Sequence, residues 1–458
     1  MRIVLTAHQF LPDYSFGTEI ITLSVARELQ QRGHDVHVVT GFPAGEPRAG
    51  GERFDRYVYE GIPVERFHFA RSAAERGENP VARDYDNRVF YEFFSAFLRR
   101  HRPDLVHFFH LSRISAAAVD AGLECGLPMV LTATDFWSIC PYAQLRRWDD
   151  TPCAGPRPDG VNCVRHLAIN RWRDPRLKLF FRKLPDPLLA LLVSAARRDL
   201  IGRRSFGPLV RALVARPEQI RTRLNRVDRI IAPSELMREK LIAHGIEAAR
   251  ILHLPYGIET LAIPHAGTRG EGPTLRLGYV GSLTEHKGCD VLIRAVRSLP
   301  DAVPVELRVY GSPEHCPEYV ASLRHLAGDD RRIRLCGPFA NANVGSVLAS
   351  LDVLVVPSIW YENTPVVIYE AMASGCMVLA SDVPGIAEVI RDGENGGLFP
   401  RGDAAALAQR IRQLAGDRRE LQRLARNMRP PASVAGHVGA LEAVYRDLLA
   451  ERRCENRL

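Results

Sequence analysis

The chain has 458 residues, a net charge of +8, 46% hydrophobic and 25% charged residues, which suits two or three domains of an ordinary globular enzyme. No apolar run approaches the roughly 20 residues that cross a bilayer. The nine cysteines contain no C-x-x-C and fit a reducing cytoplasm rather than a disulfide framework. The first residues carry no signal-peptide pattern and enter a strand directly at 3–6. Charge is distributed unevenly. Residues 170–226 hold 15 Lys and Arg against 4 Asp and Glu, a local +11, which leaves −3 for the remainder of the +8 chain.

In chain order, residues 2–6 predict a buried strand, 7–17 a loop and 18 to about 32 a helix, with Thr18 as N-cap and Gly33 as stop. Residues 36–39 predict the second strand. This is the opening unit of a doubly wound sheet. It lacks G-x-G-x-x-G, which argues against a nicotinamide cofactor. Gly17 at the helix start permits close backbone approach by a ligand. Short strands follow at 57–60 and 64–68, then an amphipathic helix at 86–100. Residues 105–109 (LVHFF) predict a strand with His107 and His110 near its carboxyl end. A helix at 112–125 and a strand at 129–132 come next, and that strand runs into Ala133–Thr134–Asp135. Asp84-Tyr85-Asp86 is a D-x-D ahead of a helix, read here as a chance match. Cys140, Cys153 and Cys163 stand 13 and 10 residues apart. They match no zinc spacing, and three sulfurs leave a structural site one ligand short.

The basic region interleaves Arg and Lys with Phe180, Phe181, 188–193 and 209–213. A basic amphipathic helix fits an anionic membrane surface; a solvated insertion with a charged outer face is the plainer alternative. No nucleic-acid module accompanies it. Strand 227–232, helix 234–244 with Ser234 as N-cap, and strand 251–255 close the first domain. Residues 263–273 form a Gly- and Pro-rich linker.

The second half predicts strand 275–281, loop 282–288 and helix 289–298. Gly281 lets backbone approach a phosphate and Lys287 can place a cation on it. Strands at 305–310 and 333–336, a helix at 343–350 and a strand at 351–356 follow. The last of these leads into a loop at 358–364, a helix at 366–374 with Pro365 at its start and Gly375 at its end, and a strand at 377–380. Helices are also predicted at 404–414 and 434–449. A helix N-terminus at Asn363, Thr364, Pro365 and Val366 favours a phosphate, and Glu362 and Glu370 on either side could hold hydroxyls. That arrangement describes a sugar nucleotide. Spacing alone leaves Glu362 equally readable as a solvated loop residue and Glu370 as a rim charge.

The pair Glu362 and Glu370 forms E-x7-E. The stretch ENTPVVIYEAMASG, followed by SDVPGIAEVIRDGENGGLF, resembles the donor site of family 4 retaining glycosyltransferases. The resemblance implies the α/β GT-B fold, two facing Rossmann-like doubly wound domains with a cleft between them. It extends over nearly the whole chain and is looser in the first half. It implies Lys287 and Glu362 as catalytic. Gly17, Gly281, Ser282, Lys287, Gly337, Glu362, Asn363, Thr364, Pro365, Val366 and Glu370 become donor-binding, with Glu362 on the sugar, Glu370 on the ribose and Gly337 near the base. His8, Thr18, His110 and Asp135 become acceptor-side candidates. Family members often carry a histidine where this chain has Thr134 and an arginine where it has Ser282; related sequences often carry cysteines where this chain has Cys140, Cys153 and Cys163.

The domains expected are 1–262 for the acceptor, with a basic helical insertion at about 140–226, linker 263–273, 274–430 for the donor, and 431–458 as a helix crossing back to the first domain. The expected reaction transfers a sugar from a UDP- or GDP-sugar to a hydroxyl acceptor, including a lipid-linked one. It needs no cofactor, no metal and no nucleic acid, and would serve polysaccharide or glycolipid assembly at the inner membrane face. The rivals are a non-catalytic sugar-nucleotide-binding scaffold and an epimerase or phosphorylase on the same fold.

Overall fold

Parallel strands form two separate sheets in the computed structural model, which describes residues 1–42, 53–68, 79–171, 174–202, 206–259, 272–363, 365–429 and 432–455. The first sheet contains β1 (Arg2–Ala7), β2 (Asp35–Phe42), β3 (Phe54–Tyr59), β4 (Ile62–His68), β5 (Leu105–Phe108), β6 (Met129–Thr132), β7 (Arg229–Ala232) and β8 (Ile251–His253), in the order β3-β4-β2-β1-β5-β6-β7-β8. The second contains β9 (Leu275–Val280), β10 (Val305–Tyr310), β11 (Ile333–Gly337), β12 (Val353–Val356), β13 (Met377–Asp382) and β14 (Gly397–Pro400), in the order β11-β10-β9-β12-β13-β14. All pairings are parallel except β3 with β4, whose two-residue connection places Glu60 and Gly61 at φ +50° and +82°, as a tight hairpin requires. Central strands such as β5, β6 and β12 are buried at every residue, the pattern of a sheet covered by helices on both faces.

The chain folds as two compact units, one of Met1–Pro233, Met237–Leu254 and Val438–Leu458 and a second of Ser234–Leu236 and Pro255–His437. The last helix, Val434–Glu455, thus contributes most of its length to the first unit. There the Tyr445 hydroxyl meets His107 Nδ1 at 2.6 Å, and His107 Nε2 meets the Thr132 hydroxyl at 2.8 Å, all of it buried. Glu442 on the same helix pairs with His34 at 2.6 Å and with Arg32 at 2.9 Å.

Several boundaries differ from the sequence reading for local reasons. The first helix is Gly17–Gln31 with Phe16 as N-cap, so Thr18 lies inside it; Glu19 reaches back to accept the Phe16 N–H at 2.8 Å. The helix expected at 112–125 is only Ala117–Glu124, because Arg113 and Ser115 adopt φ +64° and +70°. The helix expected at 86–100 is Arg88–His101, capped by Asn87, which accepts the Phe90 N–H, and a separate short helix, Ala82–Tyr85, precedes it. Helices Pro317–Ala327 and Arg418–Asn427, and β14, were not anticipated. Linker residues 263–271 lie outside the described residues.

The basic region folds as part of a four-helix insertion, Val161–Arg171, Pro175–Lys183, Asp186–Arg197 and Phe206–Leu224. It has its own core of Val164, Phe181, Leu189, Val193, Val210 and Leu213. Phe181, Leu189, Val193, Val210 and Leu213 are therefore not available to a membrane, contrary to the simplest amphipathic reading. Leu177, Leu179, Phe180, Leu188, Leu191 and Leu200 are exposed instead.

Candidate active site

In the second unit the strand order reverses direction of growth between β9 and β12, and open parallel sheets take ligands outside the carboxyl ends of strands at such a switch. Two loops leave those ends. After β9 the chain makes one turn of 3-10 helix, Glu285–Lys287, and then passes through Gly288 at φ +68°. A Cβ on Gly288 would lie 2.0 Å from the Pro357 carbonyl oxygen, so this close approach of the two loops requires glycine. Ile359 donates its N–H to the His286 carbonyl at 3.0 Å across the same seam.

That seam brings Lys287 to Glu362, with Nζ 2.6 Å from Oε1. The same oxygen accepts the Ser358 hydroxyl at 2.5 Å and the Trp360 indole N–H at 2.8 Å. Glu362 is 3% exposed, and three donors on one carboxylate oxygen hold it in a single orientation. Lys287 Nζ also sits 5.0 Å over the Trp360 ring, a favourable cation–π distance. Behind this loop Gly385, at φ +88°, packs so closely that a Cβ would lie 1.7 Å from the Glu362 carbonyl oxygen. The helix Val366–Ser374 then starts at Pro365 without a side-chain cap; the Ile368 N–H is taken by the Pro365 carbonyl at 2.9 Å, and the Val366 and Val367 N–H groups face the end of the helix that favours an anion. Asn363 accepts the Ser234 hydroxyl at 2.7 Å. Thr364 lies outside the described residues.

Glu370, on that helix, has burial alone acting on it, and its carboxyl is pushed up to about 7. Desolvation disfavours the charged form, and no cation among the described residues offsets it. Along the other side of the sheet, Gly281 donates to the Tyr310 carbonyl at 3.2 Å and Gly311 to the Gly337 carbonyl at 3.1 Å, joining the carboxyl ends of β9, β10 and β11. Tyr279 fixes the intervening loop by donating its hydroxyl to the Ser282 carbonyl at 2.7 Å. The Tyr310 and Phe339 rings meet edge to face at 5.6 Å.

The first unit has its own switch point between β1 and β5. His8 follows β1 and His110 follows β5, and their rings lie 4.3 Å apart. His110 Nδ1 accepts the Ser112 N–H at 2.9 Å, which leaves Nε2 to donate to Asp135 Oδ2 at 2.8 Å. Asp135 in turn accepts the Trp137 N–H at 2.8 Å. Glu19 completes the group, with Oε1 3.6 Å from His8 Nε2. It is fully buried, and burial pushes its carboxyl up to about 7. His8 is held well below the usual histidine range by burial, and further by His110 and Arg113. Gly17 and Thr18 are the first two residues of the adjoining helix.

Sequence reasoning missed Ser358, Trp360, Gly288, Gly385 and Glu19. Glu19 had a local signal, an acid three residues after the N-cap, but a phenylalanine at that cap hid it. Asp84 is structural: it accepts the Trp137 indole N–H at 3.0 Å and pairs with buried Arg216 at 2.8 Å. No group of three or more metal-ligating side chains able to hold an ion occurs among the described residues.

Residues 274–417 match the family described as Glycosyl transferases group 1, and residues 16–173 match Glycosyl transferase 4-like domain. The chain is 34% identical over 189 residues to a phosphatidyl-myo-inositol mannosyltransferase of Mycobacterium leprae, covering 40% of this chain and 48% of that protein. It is 29% identical over 196 residues to a putative colanic acid biosynthesis glycosyltransferase, WcaL, of Salmonella typhimurium, covering 42% and 48%. The matches thus span about half the length of these curated relatives. Anabaena HepE, solved in complex with UDP-glucose, superposes with a TM-score of 0.62 at 16% identity, over 98% of this chain and 100% of that one. Sucrose-phosphate synthase of Thermosynechococcus elongatus gives 0.61 at 17% identity, over 100% and 99%. From the two family matches and the two Rossmann-like sheets, the chain belongs to the family 4 glycosyltransferases and has the GT-B fold.

Proposed function

We propose that this glycosyltransferase moves a sugar from a UDP- or GDP-sugar to a hydroxyl acceptor, with retention of anomeric configuration and without a metal ion. The observation that carries the reading is the Lys287–Glu362 contact at the switch point, beside an uncapped helix start. Lys287 and the Val366 amide would neutralise the leaving diphosphate, Glu362 would hold the donor sugar and Glu370 the ribose. The turn at Gly337, with Tyr310 and Phe339, would receive the base. In a front-face step the bond from the anomeric carbon to the phosphate oxygen breaks while the acceptor oxygen bonds on the same face. The acceptor proton passes to the departing phosphate, so no protein nucleophile is needed. His8, His110, Asp135 and Glu19 would position the acceptor. The likeness to WcaL favours a place in cell-surface polysaccharide or glycolipid assembly on the cytoplasmic side.

A panel of UDP-, GDP- and ADP-sugars scored by thermal shift tests the donor class, since a ligand at 100 times its Kd stabilises by about 2.7 kcal/mol. Transfer with the best donor should persist in excess EDTA. Loss of activity in EDTA with rescue by magnesium or manganese would overturn the metal-independent step.

Donor affinity should depend on pH through Glu370. An unfolded carboxyl ionises near 4.5, whereas this one holds its proton to about 7. The unliganded fold is therefore increasingly penalised as pH rises from 4.5 to 7, and the penalty is constant above. Ribose hydroxyls donating to the ionised form would draw its pKa down. Binding should strengthen about tenfold between pH 6 and 8, and Glu370→Gln should flatten that profile. Calorimetry giving the same slope for both proteins would remove Glu370 from the donor site.

The insertion supports peripheral membrane contact. Exposed Leu177, Phe180, Leu188 and Leu191 accompany exposed Arg176, Lys183, Arg197 and Arg198, so charge supplies attraction and apolar side chains supply insertion. No described helix is long and apolar enough to cross a membrane. Binding to vesicles should rise with the acidic lipid fraction and fall with salt. Phe180→Ser with Leu191→Ser should weaken sedimentation while leaving donor hydrolysis unchanged. Equal sedimentation with neutral and acidic vesicles would make the insertion a solvated one.

A further inference from the structure

The first helices of the insertion and the segment before them line an open cavity of about 400 Å³. Five arginines line it: Arg146, Arg147, Arg157, Arg165 and Arg182. Two lining carboxylates oppose them, Asp149 and Asp186, which leaves a formal excess of three positive charges (five less two). The distribution matters more than the sum. Asp186 receives both Arg157, at 2.5 Å, and Arg165, at 2.7 Å, while Arg146 is taken by Asp150 at 2.7 Å. Asp149 is turned to the Thr151 hydroxyl at 2.6 Å. Arg182 lies 5.1 Å over the Trp148 ring. Among the described residues no carboxylate comes within ion-pair distance of Arg182 or Arg147, although the Asp149 carboxylate feels the Arg147 charge.

Arg165 is pinned by accepting carbonyls at Phe181 and Leu184 as well as by Asp186. The cavity wall is thus held by ion pairs, and two exposed guanidinium groups, Arg147 and Arg182, remain at its rim without a direct ion pair among the described residues. A concave, positively lined surface concentrates field. The planar fork of arginine matches phosphate oxygens in pairs. The volume is that of a small-ligand site. His166, another lining residue, is held down to about 4 by burial and by Arg146, so it adds no charge of its own at neutral pH.

Three cysteines, Cys140, Cys153 and Cys163, line the same cavity. Cys163 is pushed up to about 12 by burial, which keeps it a thiol rather than a nucleophilic thiolate. We infer that this cavity is a binding site for a phosphate-bearing ligand, with Arg147 and Arg182 closing on the phosphate oxygens and Arg157 and Arg165 as the fixed wall. The inference is independent of the donor-site assignment, which concerns the second unit.

Inorganic pyrophosphate is the probe, and Lys287→Ala is the background, because the proposed donor site would also take a diphosphate. Titration calorimetry should show pyrophosphate binding retained in Lys287→Ala. Adding Arg147→Ser and Arg182→Ser should weaken it at least about tenfold, the loss expected for charged hydrogen bonds. Both side chains are exposed, so an unchanged melting temperature should accompany the loss. Binding abolished by Lys287→Ala alone, or unaffected by the arginine changes, would overturn the site and leave the donor reading standing. The source of the phosphate is settled by competition. Displacement of pyrophosphate by phosphatidic acid vesicles, and not by phosphatidylcholine vesicles, would support the site and identify a lipid headgroup. Binding that persists beside both would support it with a soluble phosphate ester.

Discussion

Lys287→Ala should lower turnover by about 100- to 1000-fold, the usual effect of removing one preorganised electrostatic donor from a leaving group. The ammonium group is held at the switch point by Glu362 at 2.6 Å and by the Trp360 face. It therefore needs little reorganisation to meet a diphosphate. The variant should still fold, because Lys287 is a quarter exposed and Glu362 keeps its bonds from Ser358 and Trp360. The discriminating measurement separates kcat from KM for the acceptor: kcat should collapse while acceptor KM moves little. A fall of less than about threefold would place Lys287 outside the phosphate site.

The second large effect is on stability. Arg216, 1% exposed, sits in the helix Phe206–Leu224. It pairs with Asp84 at 2.8 Å, donates to the Trp137 carbonyl at 2.7 Å and stacks 4.8 Å over the Trp137 ring. Arg216→Ala takes the cation from Asp84, which keeps only the neutral Trp137 indole N–H in its place, and empties a packed volume. Removing one partner of a buried pair costs about 3–5 kcal/mol. For a unit of this size that corresponds to a melting temperature roughly 6–20 °C lower. Scanning calorimetry of the variant checks it; a melt within about 2 °C of the parent would show that the pair contributes little.

Much of the scaffold was legible because buried parallel strands are written as short apolar runs between Gly, Pro and charged residues. Strands 129–132 and 305–310 and the helix 289–298 were placed to the residue. What failed depended on contacts distant in sequence or on backbone that composition does not announce. Arg113 and Ser115 in left-handed conformations cut short a helix whose pattern looked continuous. Phe181 and Leu189 looked like part of one outward apolar stripe, yet the insertion's four helices turn them onto each other. Lys287 and Glu362 were found as residue types through family resemblance. Their contact across 75 positions, and the Ser358 and Trp360 donors that orient the carboxylate, had no signal in spacing.

The first unit is assembled from stretches far apart in the sequence, and this orders its birth on the ribosome. Residues 255–437 of the second unit are contiguous and precede the segment Val438–Leu458. At about 5–20 residues per second, the ribosome needs on the order of ten seconds or more to pass from the end of β8 to Tyr445. Throughout that interval His107 and its neighbours on the first sheet lack the helix that buries them. The second unit, translated later, can close first. A nascent chain stalled near residue 437 would carry every proposed donor residue while the His107 region of the earlier-made sheet still lacked its last helix, a form more exposed to chaperones and proteases.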